Sequence, residues 1–258
     1  MRTFTHHRSG ATLFGLSVGA AVVDVVGEER EHAEVVLAPA VAGDHVAEDL
    51  IARATETNAG ERFTIEVPKA CGITGTTIVH NGGLTVSQGV SVMFGSVSGV
   101  TIVNGQIIGG LGSAVVTGGG ALRVTVRLPL GSSLAVSTDC ADVHARGQLN
   151  SVYFRAVSGD LTVESARVLD AESTSGDISL DCGTHVTAKT VSGDVRVSGL
   201  AGRAQVTSVS GDVRVHAVTN SIAAGQTVSG DVRFTATPGV MLDSVGRSVS
   251  GRVTGATR

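Results

Sequence analysis

The chain has 258 residues and a net charge of −4, and its 42% hydrophobic and 16% charged residues make a foldable rather than a disordered composition. Six Phe, one Tyr and no Trp leave few stacking platforms, and no segment clusters Lys or Arg, which argues against a nucleic-acid partner. Glycine is abundant at 35 and proline scarce at 4, so a core must be built from Val, Ala, Leu and Ile in thin, regular layers.

Charge is spread unevenly. Residues 1–70 carry six basic and eleven acidic side chains, a balance of −5. Residues 71–190 carry six and eight, giving −2, and residues 191–258 carry seven and four, giving +3. No apolar run reaches the length of a membrane span. Arg2 and Arg8 precede the apolar stretch ATLFGLSVGAAVV (11–23). Thr, Ser and Gly dilute it, and it runs into DVVGEER without a processing site. Two strands are the expectation there, with a secretory signal as the alternative.

In chain order, TLFGLSV (12–18) and AAVVDVV (20–26) read as antiparallel strands joined tightly at Gly19, followed by HAEVVLAP (32–39). DHVAEDLIARAT (44–55) carries Val46, Leu50, Ile51 and Ala54 at helical spacing, with Asp44 placed as the N-cap. Asn58-Ala59-Gly60 ends it, and RFTIEVP (62–68) returns to strand alternation, stopped by Pro68. Residues 1–70 thus predict a small β-rich capping lobe with one helix. Residues 71–258 predict a second unit. From residue 73 helical periodicity disappears, leaving TVSQGVSV (85–92), SVSGVTIV (96–103), GQIIGG (105–110) and TGGGALRVTVRLP (117–129).

A tetrad then recurs: Ser158-Gly159-Asp160-Leu161, Ser175-Gly176-Asp177-Ile178, Ser192-Gly193-Asp194-Val195, Ser210-Gly211-Asp212-Val213 and Ser229-Gly230-Asp231-Val232. Degenerate copies flank it at Cys140-Ala141-Asp142-Val143 and Ser250-Gly251-Arg252-Val253. A period of 17–21 residues fits one rung of a β-solenoid, here a single-stranded β-helix in an all-β fold. Equivalent strands then pair in parallel about 4.8 Å apart, and seven rungs span about 29 Å. Strands per rung and handedness stay open. In Val195-Arg196-Val197, Val213-Arg214-Val215 and Val232-Arg233-Phe234 alternation puts the apolar residues inside and Arg196, Arg214 and Arg233 in water. Each glycine sits at the bend, where a Cβ is awkward. The last rung exchanges Asp for Arg252, a charged cap against edge-to-edge growth.

The Asp file is the most functional-looking feature. Asp177, Asp194, Asp212 and Asp231 are candidate calcium ligands, yet one Asp per 17–19 residues is the wrong spacing for a nonapeptide calcium roll. The structural expectation is that each Asp bonds its own backbone at the bend and pairs with the Arg two residues on. Repeated, interchangeable pairs argue against a unique catalytic constellation, and Tyr153 is a poor platform for sugars. Gly15-Leu16-Ser17-Val18-Gly19 matches a nucleophile elbow in letters, but a strand rather than a helix follows. GGLGSAVVTGGGALR (109–123) lacks the lysine of a phosphate loop. Cys71, Cys140 and Cys182 are too far apart for a metal site or a disulfide framework and read as thiols in a reducing compartment. The eight histidines are scattered, and no catalytic residue or cofactor is implied.

The tandem SGDV(R)V rungs, the upstream VTVRLPLGSSLAVSTDCADVHARG (124–147) and the N-terminal FTIEVP resemble a bacterial β-strand-repeat "putative adhesin" family, a domain of unknown function. The segment Arg127–Ser132 and the rung motif carry the resemblance. It implies a β-solenoid and hands over no catalytic residues. The expectation is a non-enzymatic, cytoplasmic scaffold or protein-interaction module with an unidentified protein partner. A cell-surface or secreted adhesin is the alternative, and a polysaccharide-acting β-helix enzyme the third reading.

Overall fold

The computed structural model describes residues 1–69 and 120–255 and, between them, the backbone of a few short strands. The N-terminal elements are β1 (Arg2–Ser9), β2 (Leu13–Glu28), β3 (His32–Pro39), α1 (His45–Ala52), β4 (Thr55–Ala59) and β5 (Arg62–Glu66). The short strands are β6 (Thr76–His80), β7 (Gly83–Ser87), β8 (Ile102–Val103), β9 (Gln106–Ile107) and β10 (Ala114–Val115). The rungs follow: β11 (Leu122–Pro129), β12 (Ser133–Ser158), β13 (Leu161–Ser175), β14 (Ile178–Ser192) and β15 (Val195–Ser210). The last are β16 (Val213–Ala217), β17 (Ser221–Ser229), β18 (Val232–Ala236), β19 (Leu242–Ser250) and β20 (Val253–Thr254). Apart from the short strands, the expectations for Cys71, for 85–92, 96–103 and 105–110, and for 109–119 lie outside the described residues.

The protein is almost all β, built on a 15-stranded sheet that does not close on itself. Equivalent residues of successive rungs lie side by side in parallel register. Val143, Leu161, Ile178, Val195, Val213, Val232 and Val253 form one inward file. Ala145, Val163, Leu180, Val197, Val215 and Phe234 form the next. All but Val253 are buried, and burial of each Val, Leu or Ile stabilises by about 1.5–3 kcal/mol.

The later half of each rung faces these files from across the core. Phe154, Ala171, Ala188, Val206, Gly225 and Gly246 stand in register there. A Cβ on Gly225 would meet Val232 Cγ1 at 2.9 Å, Phe234 Cζ at 3.1 Å and Val213 Cγ1 at 3.3 Å. A Cβ on Gly246 would lie 3.0 Å from Phe234 Cε2. The one large ring of the last rungs therefore occupies space that two glycines leave. Each rung contributes one segment to each of two facing layers, and the Ser-Gly-Asp bend joins them.

The N-terminal strands depart from the antiparallel pair expected around Gly19. Residues 13–28 form one long strand whose two halves do not pair with each other. Leu13–Val18 run parallel to Ser133–Thr138, and Ala20–Val26 run parallel to Cys140–Arg146. β2 is thus a rung, and the physical reason is its two apolar faces of alternate residues, which need a neighbouring rung rather than each other. β11 lies between β2 and β3, parallel to the first and antiparallel to the second. β5 joins the outer edge of β2 in parallel. Hydrogen bonding therefore runs straight across the lobe boundary expected at residue 70.

The helix closes the N-terminal end of the core with buried Ala47, Leu50 and Ile51. Asp44 Oδ1 accepts the N–H of Val46 and Ala47 at 3.0 and 3.1 Å, and its other oxygen accepts the Gly120 N–H at 2.7 Å. At the far end, Arg2 Nη1 donates to the carbonyls of Ala52 and Ala54 at 3.1 and 2.8 Å, over the ring of Phe4. The helix stops at Ala52, short of the expected 55, because residues 55–59 pair antiparallel with β5. Ser132, in the Arg-Leu-Pro-x-Gly-Ser segment, is fully buried, and its hydroxyl accepts the Thr12 N–H at 3.0 Å. That segment turns at Gly131 (φ +74°) and ties β12 to the start of β2.

Candidate functional site

The Ser-Gly-Asp bends stack into one edge of the molecule, and their bonds run between rungs rather than within them. Asp142 Oδ1 accepts the backbone N–H of Asp160 at 3.0 Å. Asp160, Asp177, Asp194 and Asp212 do the same for Asp177, Asp194, Asp212 and Asp231 at 2.7–2.8 Å. Asp231 closes the series on the N–H of Arg252 at 2.8 Å. The own-backbone bond expected for each Asp is replaced by this ladder. A bend turns its amide out of its own strand, and the nearest acceptor is the carboxylate one rung back.

The backbone completes the edge. Gly176 N–H donates to the Ser192 carbonyl at 3.0 Å and Ile178 N–H to the Asp194 carbonyl at 2.9 Å, and neighbouring rungs repeat the pattern. Gly159, Gly176, Gly193, Gly211 and Gly230 all have positive φ, from +117° to +151°. A Cβ on any of the last four would run into the carbonyl oxygen of the glycine one rung before it. Glycine is thus required twice over, by dihedral and by approach.

The charge pairs are sparser than the repeat suggests. Arg214 is held by Asp194 Oδ2 at 3.2 Å and Asp212 Oδ2 at 2.6 Å. Among the described residues, Arg196 and Arg233 have no carboxylate within ion-pair distance, so the pairing expected for them is corrected: each Asp gives Oδ1 to an amide, and the Oδ2 of Asp194, the partner expected for Arg196, goes to Arg214. Asp177, Asp194, Asp212 and Asp231 stand in one file, but among the described residues no three His, Cys, Asp or Glu side chains are placed to hold a metal ion. Ser17 lies in mid-strand beside Glu66 and Ser137, not on an elbow. Cys140 is buried with the Ser158 hydroxyl 3.7 Å from its sulfur, and Cys182 is exposed.

Two features were not anticipated. Val157, Val191, Val209, Val228 and Val249 are exposed along the outer side of the bend, while Thr190, Ser208 and Thr227 beside them are buried. Val191 and Val195 have the same parity, so alternation would place both inside; the bend between them reverses the inward direction. At the C-terminal end, Arg214, Arg233, Thr235, Arg252 and Thr254 line a cleft of about 460 Å³ with Asp212 and Asp231.

A known structure, a "putative adhesin" from Bacteroides fragilis, is similar in fold, with a TM-score of 0.51 at 14% identity over 98% of this chain and 96% of that one. A "putative adhesin" from Parabacteroides merdae matches over 98% and 97% at 10% identity and a TM-score of 0.40. No curated protein sequence matches the chain significantly. The family model for Toastrack DUF4097 matches residues 76–254, well over half of the chain. These residues include every Ser-Gly-Asp bend, and the chain belongs to the Toastrack DUF4097 family.

Proposed function

We propose that the protein is a non-enzymatic scaffold or protein-interaction module: a single-stranded β-helix that presents a long, regular surface. One observation carries this reading. Each carboxylate of the conspicuous Asp file is engaged by the next rung's amide, so the file reads as a structural device repeated at each bend. A catalytic centre needs one constellation unlike its surroundings. The Asp file is the same at each rung.

A surface adhesin is the second reading, favoured by the adhesin name of the Bacteroides fragilis structure with its similar fold. Among the described residues no helix is long and apolar enough to cross a membrane. Cell fractionation separates the two readings. Mature protein recovered outside the cell, with its N-terminus trimmed, would sink the cytoplasmic scaffold. Crosslinking in the native host, followed by reconstitution of the captured pair from purified components, tests the interaction role. A protein that crosslinks to nothing reproducible, or turns over a polysaccharide, contradicts it.

A further inference from the structure

Exposed apolar side chains gather at the C-terminal end of the stack. Val218, Ile222, Val228, Met241, Val245 and Val249 all reach solvent, Met241 and Val249 being 76% and 82% exposed. Ile222, Ala224 and Gln226 lie in register with Asp243, Val245 and Arg247, so this is one continuous outer surface of the last two rungs. Earlier rungs carry an ion-pair ladder on the same surface, Arg155 to Glu172 to Lys189. Apolar side chains therefore crowd this end, while on the earlier rungs Val157 and Val191 of the same valine file run beside charged pairs.

Basic groups border it. Among the described residues Arg233, Arg247 and Arg252 have no carboxylate within ion-pair distance, whereas Arg214 is held by two. The acids nearby are largely committed. Asp212 gives one oxygen to the Asp231 N–H and the other to Arg214, and Asp231 gives Oδ1 to the Arg252 N–H. Arg247 stands between Val245 and Val249 on this face and Arg252 follows Val249 at the bend, while Arg233 lies on the outer side of the facing layer; the segment 191–258 has a balance of +3. Arg233 and Arg252 line the terminal cleft with the hydroxyls of Thr235 and Thr254.

We propose that this end docks on an anionic phospholipid bilayer. Met241, Val245 and Val249 enter the interfacial region, and Arg247 and Arg252 pair with lipid phosphates. Apolar insertion and attraction to anionic headgroups act together at such a surface, and either alone binds weakly. A guanidinium fork suits phosphate oxygens, and an end with exposed apolar tips suits a deformable interface better than a rigid partner.

Flotation with vesicles of phosphatidylcholine alone, or of phosphatidylcholine with phosphatidylglycerol, tests this on the full chain. Binding is expected on the anionic vesicles, to fall by about tenfold on neutral ones, and to weaken in high salt. The pairs Val245→Asp with Val249→Asp, and Arg247→Glu with Arg252→Glu, should each lower it by about tenfold. Val157→Asp with Val191→Asp, in the same valine file but three or more rungs from Val249, Arg247 and Arg252, should leave it unchanged. Circular dichroism checks folding, and Val245→Ser with Val249→Ser replaces the aspartates if they unfold the end. No vesicle binding, equal binding to both compositions, or equal loss in the Val157 and Val191 control overturns the proposal.

Discussion

Asp177 Oδ1 accepts the backbone N–H of Asp194 at 2.7 Å, although the two residues are 17 apart in the chain. A side chain thus supplies the hydrogen bond that a bend takes away from its own strand. The same bond recurs up the stack, and it makes each rung's corner depend on the rung before it. An unmet amide there costs about 1–3 kcal/mol if burial keeps water out and less at this partly exposed edge.

Asp194→Ala removes the acceptor for the Asp212 N–H and one of the two carboxylates holding Arg214. A loss of about 1 kcal/mol is expected, by likeness to helix N-caps, in urea unfolding. Asp194→Asn keeps an oxygen in place and should cost less than half of that. Equal losses for Asn and Ala would show that charge, not the amide bond, is what the ladder supplies. Added calcium should leave the unfolding midpoint of the wild type where it is.

Gly193 combines a φ of +143° with a neighbouring carbonyl oxygen that a Cβ would strike. Gly193→Ala should therefore cost about 3 kcal/mol or more. Gly43, with a φ of +82° and open space around it, is the matched control and should lose only about 1 kcal/mol on the same change. Similar losses at the two sites would mean that dihedral strain alone accounts for the repeat's glycine.

Phe234 fills the room left by Gly225 and Gly246. Phe234→Ala should cost about 3–5 kcal/mol, and Gly225→Val should destabilise through overpacking by about 1–3 kcal/mol. Combined, Phe234→Ala with Gly225→Val should cost clearly less than the sum of the single changes, because one vacates what the other enters. Strict additivity in a double-mutant cycle would contradict this packing.

Arg2 satisfies the carbonyls at the C-terminal end of α1. Arg2→Ala should cost about 1 kcal/mol and raise amide exchange in His45–Ala52 while leaving the last rungs protected. Faster exchange throughout the stack would instead make the helix cap essential to all rungs.

The repeat itself was legible in the letters. A period near 18 residues, the glycine of the Ser-Gly-Asp bends and the apolar-polar-apolar triplet after them follow from constraints that these rungs share, so they recur from copy to copy. The helix cap at Asp44 was legible because it is local: its bonds reach Val46 and Ala47. What lay beyond the sequence depends on which rung stands next to which. Letters do not name the Asp194 amide as the partner of Asp177, nor join residues 13–28 into one rung beside β12. Nor do they show that a bend turns Thr190 inward and Val191 out, since parity along one strand says nothing about a direction reset at a corner. Thr190–Val197, TVSGDVRV, thus carries its own bend and recurs to set the period, while the stack decides which of its polar groups are bonded, which of its valines meet water, and which arginines are left without a carboxylate.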